Sequence, residues 1–231
     1  MTNAAGLGFI TAWGVMNWDY FSTTPSAKNE GWFSSHTKEG GADKLGHFYA
    51  SYALSYFLAH TYETWGYSRK KGLELGALSS FAVMSWMELG DSFSEYGFSY
   101  EDFLMNALGC ATAWFMGSRP ELERKLDFRI EYRPRFDTAD VFTDYDRQKF
   151  LMALKLDGFD RVTHPLLQYM ELHLGYYARD FSYGATPRRT LYAGIGINLS
   201  RILNGFSFER LSTLTRFVQV PYTYRAFEKE R

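Results

Sequence analysis

Eight polar residues stand out in a stretch that is otherwise apolar or small. They are Asp43, Lys44 and His47, then Glu88, Asp91 and Ser92, then Asp102 and Asn106. On a helix, residues three or four apart share a face, and Asp43 with His47, Glu88 with Asp91, and Asp102 with Asn106 are so spaced. Three chemistries fit the set. Asp43, His47, Glu88 and Asp91 could ligate a divalent metal, which suits oxygen donors with one imidazole. His47 could act as general acid or base, oriented by Asp43 or Asp91, while Lys44 holds an anionic group. The third is structural: Asp43 and Asp102 fall where caps and first-turn acids favour the helix dipole, and Glu88 and Asp91 could pair with Lys44. Charges in apolar helices are costly and are kept where they are paired or functional.

The elements that must position these residues read as helices. Residues 5 to 21 form a short apolar helix, and 22 to 42, rich in Ser, Thr, Pro, Gly and charge, form a loop. A helix from Asp43 to about Trp65 has an apolar run, Leu45 to His60, of 16 residues, short of the roughly 18–20 needed to cross a bilayer untilted. A second runs from about Ser68 to Ser92. A third runs from Ser99 to about Gly117, with Ser99 and Asp102 in the Ser-x-x-Asp capping pattern. Small residues (Ala107, Gly109, Ala111, Ala113) let neighbouring helices approach it closely. In an up-down-up bundle the start of the first, the end of the second and the start of the third fall on one side. The three polar groups then converge.

Beyond Ser118 the period changes to two. Leu126, Phe128, Ile130 and Tyr132 alternate with Asp127, Arg129, Glu131 and Arg133, a strongly amphipathic strand. Further strands are expected at Lys149–Leu156, Tyr169–Tyr177 and Thr190–Leu199, with a weaker fifth at Arg216–Tyr224 whose Pro221 suggests an edge. Glu171 and His173 share one strand face, expected to be exposed to solvent or a lumen. Such strands resemble pieces of outer-membrane β proteins, but five are too few for the usual barrel of about eight or more. The fold class expected is α+β: an apolar helical bundle (1–118) followed by an antiparallel sheet (119–231) packed on it as one cooperative, membrane-associated unit.

Composition narrows the partners. Lysine plus arginine number 25 against 26 acids, so no basic surface points to nucleic acid. Aromatic residues make up 19%, and Tyr and Trp collect where apolar and wet surroundings meet. Membrane lipid is the expected partner, with an envelope protein a second candidate. The lone Cys110 excludes an internal disulfide. The apolar start lacks the basic residues of a secretion signal, so the chain is either cytoplasmic or a mature chain without its signal peptide, and the strand-rich second half favours the latter.

Asp43-Lys44-x-x-His47, the acidic helix end at Glu88, and Phe98-Ser99-x-x-Asp102-x-x-x-Asn106-x-x-Gly109 resemble the VanZ-like membrane domain. The run Gly41 to Gly109, with the tail segments Glu171–Tyr176 and Gly194–Ser200, looks like the YfiM-like family of bacterial envelope proteins, which includes a small periplasmic lipoprotein. The resemblance implies a Gram-negative cell-envelope location, outer membrane or periplasmic face, and supplies no reaction. The second helix ends Glu88-x-x-Asp91, where VanZ-like chains commonly have Glu-x-x-Gln. Two functions follow: a structural or lipid head-group binding module, or a membrane-associated hydrolase or transferase on a lipid or phosphate-bearing envelope substrate, using His47 with the carboxylates.

Overall fold

The computed structural model describes residues 2–133, 140–181 and 186–230. The chain divides into two units, Met1–Trp32 with Asp43–Ser118, and Phe33–Ala42 with Arg119–Arg231. The first is helical and the second is built on an antiparallel sheet, so the fold is α+β.

The first unit holds α1 (Thr2–Asn17), α2 (Ala42–Thr64), α3 (Arg69–Asp91) and α4 (Tyr100–Gly117). A two-residue parallel ribbon joins β1 (Ala27–Lys28) to β2 (Phe98–Ser99). Serines cap two helices: Lys71 N–H donates to Ser68 Oγ at 3.4 Å and Asp102 N–H to Ser99 Oγ at 3.2 Å, satisfying donors that the first turn leaves open. Trp18, Tyr20, Met84 and Met87 form an apolar cluster. The Tyr20 ring is wedged where a Cβ on Gly14 or on Gly90 would lie 2.2 Å away, and its hydroxyl donates to the Met87 carbonyl. Elsewhere the helices turn small polar residues inward. Ser51, Ser55, Ser79 and Ser80 are buried while Phe57, Leu78, Leu104 and Leu108 are exposed. Among the described residues no helix is long and apolar enough to cross a membrane.

Glycines set the helix spacing. A Cβ on Gly76 of α3 would lie 2.5 Å from the Ser55 carbonyl oxygen, and one on Gly109 of α4 would lie 2.2 Å from that of Phe48, both on α2. Backbone cannot swing aside as a side chain can. Gly76→Ala and Gly109→Ala are each expected to destabilise the protein by about 1–3 kcal/mol, read by denaturant unfolding. Wild-type stability in both would show that the helices do not approach so closely.

The second unit contains α5 (Pro120–Lys125) and the strands β3 (Leu126–Tyr132), β4 (Gln148–Lys155), β5 (Met170–Arg179), β6 (Arg188–Ile197) and β7 (Tyr224–Glu230), with α6 (Leu199–Gly205) and α7 (Glu209–Leu214) between the last two strands. The strands pair antiparallel in chain order. The sheet also curls back on itself. Ile130 of β3 exchanges backbone hydrogen bonds with Phe217 and Gln219, each 2.9 Å, so the segment leading to β7 at one edge bridges β3 at the other. The expected fifth strand at 216–224 is therefore misplaced. Tyr222 has φ +66°, which turns the chain, and the ladder with β6 begins at Tyr224. The charges of Arg225, Glu228, Lys229 and Glu230 hide that strand's period in the sequence.

Register shows which residues share a face. Asp127, Ala153, His173 and Gly194 lie across from one another, as do Lys155, Glu171, Gly196 and Tyr224. This charged face is the inner one: Asp127, Arg129, Glu131, Glu171 and His173 are buried. Glu171 and His173 thus do not face solvent. Leu172, Leu174, Leu191, Ile195 and Ile197 occupy the outer face, and Leu174 is 55% and Ile195 45% exposed. The sheet is polar inside and apolar outside.

Candidate functional site

The helical polar groups do converge. Lys44 Nζ lies 2.6 Å from Glu30, 2.7 Å from Asp43 and 2.9 Å from Asp102, and the residue is buried. An ammonium has three protons, and three carboxylates take them, leaving none for a further anion. Burial alone would lower its pKa, but Asp43 and Asp102 hold it well above the usual lysine value. Asp102 is in turn held below the ordinary carboxylate range by His47 and Lys44, against the opposing effect of burial.

His47 sits one turn further along α2, its Nδ1 3.1 Å from Glu88 Oε1 and its Nε2 3.8 Å from Asp102 Oδ1. Burial disfavours its charge, yet Asp102 and Glu88 outweigh that and push its pKa up to about 10. The two carboxylates beside it thus favour the imidazolium form. Asn106 Nδ2 donates to Glu88 Oε1 at 3.0 Å and its Oδ1 accepts from Ser51 Oγ at 2.8 Å, fixing the α2, α3 and α4 faces together. Asp91 stands apart from Lys44, near Tyr20, and burial and the charge of Glu88 push its pKa up to about 7. Ser92 ends α3, its hydroxyl donating to the Leu89 carbonyl.

Sequence spacing thus located Asp43, Lys44, His47, Glu88, Asp102 and Asn106, but missed Glu30 and Glu101. Glu30 lies in an aperiodic stretch with nothing to mark its proximity. Glu101 is fully buried and accepts from Gly31 N–H at 2.8 Å, pinning the same stretch to α4. Among the described residues the carboxylates grouped closely enough for a metal are Glu30, Asp43 and Asp102, their ligand atoms within 4.8 Å of one another. That centre is where Lys44 Nζ lies.

The inner face of the sheet holds a second network. Arg129 is buried, with Nη1 2.7 Å from Glu171 Oε1 and Nη2 2.8 Å from Asp127 Oδ2. Lys155 Nζ reaches Asp127 Oδ1 at 2.8 Å, His173 Nε2 lies 2.8 Å from Glu171 Oε1, and Tyr224 OH donates to Glu131 at 2.8 Å. Buried charges persist where they are paired in this way.

The architecture is of one class: an α+β chain whose units enclose ion pairs and turn apolar side chains outward. Residues 29–118 match the profile of a family, DUF2279, described as "predicted periplasmic lipoprotein". The match takes in Glu30 and the helices α2 to α4. It agrees with the cell-envelope location expected from the sequence and supports similarity to an envelope lipoprotein family. No curated protein and no solved structure matches the chain.

Proposed function

We propose that this chain is a lipid-facing envelope protein, in which the Lys44–His47 cluster stabilises the helical unit from inside and the Arg129 network does the same in the sheet unit, while the apolar exterior of each meets lipid. The observation that carries this is the inverted polarity of the sheet. Its inner face is Asp, Arg, Glu and His, and its outer face Leu and Ile. A soluble half-buried sheet has the opposite sense, whereas apolar-out and polar-in is the alternation that lipid selects. The helical unit repeats it, with buried serines and exposed Phe57, Leu78 and Trp86. The YfiM-like and VanZ-like motifs fit the same envelope setting. We read the cluster as structure, ahead of the binding and hydrolase readings at Lys44 and His47, because both cations lie against carboxylates.

Flotation on phosphatidylcholine vesicles tests the proposal. The purified full chain is expected to float with the vesicles, and Leu174→Glu with Ile195→Glu to reduce the floated fraction at least fivefold at unchanged circular dichroism. Wild-type protein that stays at the bottom of the gradient, or flotation indifferent to the double change, refutes a lipid-facing sheet.

A further inference from the structure

The inner face of the sheet opens at one end. There β3 runs out to Arg133, β4 enters at Lys149, β5 ends at Arg179, β6 begins at Arg188 and β7 ends at Glu230. Register brings these ends together: Glu131 pairs with Lys149, Arg179 with Arg188, and Thr190 with Glu230. They surround a cleft of about 440 Å³ that Arg147 and Asp146 complete, a volume suited to a small ligand.

The charges in this cleft are incompletely matched. Arg188 is tied to Asp180 at 2.8 Å and Arg133 to Glu131 at 3.0 Å. Lys149 makes one ion pair among the described residues, with Glu228 at 3.8 Å, and feels the charge of Glu131 across the ladder. Arg147 and Arg179 have no carboxylate within ion-pair distance among the described residues. Arg179 Nη1 is held by the Gln148 and Ala178 carbonyls at 3.0 and 2.6 Å. The Arg179 guanidinium and the Lys149 ammonium both lie 4.5 Å from the centre of the Tyr177 ring, so both cations are gathered at one side chain. Burial pulls both below their usual pKa values; Glu131 and Glu228 around Lys149, and Tyr177 and Asp146 around Arg179, oppose this, while cationic neighbours (Arg179 and Arg133 around Lys149, Arg147 and Arg133 around Arg179) add to it. Asp146 supplies an independent observation. It is 9% exposed, and both its carboxylate oxygens are buried without a hydrogen-bond partner among the described residues, though near enough to Arg179 for their charges to interact.

We propose that this cleft binds the phosphate group of a small phosphate-bearing molecule. Lys149, Arg147 and Arg179 hold the oxyanion, and Asp146 accepts a hydrogen bond from a hydroxyl or ammonium group beside it. Guanidinium forks match tetrahedral oxyanions better than point charges do, and three under-matched cations exceed what one carboxylate ligand would satisfy. The phosphate belongs either to a soluble ester or to a lipid head group at the rim of the apolar sheet. Only the second source rests on the lipid-facing reading.

The test uses the full chain and two probes. Glycerol phosphate is titrated by calorimetry, and flotation is compared on phosphatidylcholine vesicles with and without phosphatidic acid, for wild type, Arg179→Gln and Arg147→Gln. Saturable glycerol phosphate binding, weakened at least tenfold in both variants, assigns the cleft to soluble phosphate esters. A gain in flotation from phosphatidic acid that both variants lose assigns it to a lipid head group. Absence of both effects, or effects equal in wild type and variants, overturns the site. Arg147 makes no ion pair within the described residues, so its variant keeps the test meaningful if Arg179→Gln unfolds. Failure of the lipid-facing reading looks different: no flotation on any vesicle, with glycerol phosphate binding unaffected.

Discussion

Lys44→Met is expected to lower the unfolding free energy by about 3–5 kcal/mol, and to leave a variant that divalent cations restabilise. The side chains are similar in length, so the change removes the ammonium rather than packing volume. What remains is Glu30, Asp43 and Asp102, with ligand oxygens within 4.8 Å of one another and nothing cationic between them. Carboxylate oxygens around calcium lie about 2.3–2.6 Å from the ion, so atoms that close can share one. Denaturant unfolding of wild type and variant, each in calcium and in chelator, reads both effects. Wild type should be indifferent to calcium because Lys44 already occupies the centre. The variant should gain at least about 1.4 kcal/mol, the equivalent of a tenfold change in the folding constant, from millimolar calcium. A loss below about 1 kcal/mol would show that the three carboxylates do not depend on Lys44. A large loss without calcium rescue would show that their oxygens cannot close on an ion.

This cluster was largely legible because helical spacing is local. Asp43 with His47 and Asp102 with Asn106 declare a shared face, and the alternation of helix directions brings the three ends together. Glu30 was not legible, since its approach to Lys44 depends on Gly31 being held by Glu101, a contact 70 residues away in sequence. Period two likewise revealed two faces in β3 and β5, but not which faced inward. Charge on Asp127, Arg129 and Glu171 argued for the outside. The structure reverses this because the charges are matched within strands and across the curled sheet (Arg129 with Asp127 and Glu171, Lys155 with Asp127), a matching that becomes visible only once the strands are placed. The curl that joins 217–219 to β3 had no signal either, for it rests on a short bridge at Ile130.

The same network carries the second large effect. Arg129→Met should cost about 3–5 kcal/mol, because Arg129 neutralises Asp127 and Glu171 and donates to Gln219 Oε1 at 3.0 Å. Burial pushes the Glu171 carboxyl up, while His173 and Arg129 together hold it below the ordinary range. Without the guanidinium, Glu171 keeps His173 among the described residues, and Asp127 keeps Lys155 and, at 3.5 Å, Arg216. Gln219 also loses a bond that ties its segment to β3, so limited proteolysis should cut near 217–219 faster in the variant. Charge can be separated from packing by a triple change. Adding Asp127→Asn and Glu171→Gln to Arg129→Met removes both carboxylates that lost their guanidinium and should recover part of the loss, since replacing buried ion-pair partners together is milder than removing one of them. A single variant within about 1 kcal/mol of wild type would remove the network from the account of stability. A triple variant no more stable than the single one would instead assign the loss to the volume and hydrogen-bond geometry of Arg129, because no uncompensated carboxylate is then left to explain it.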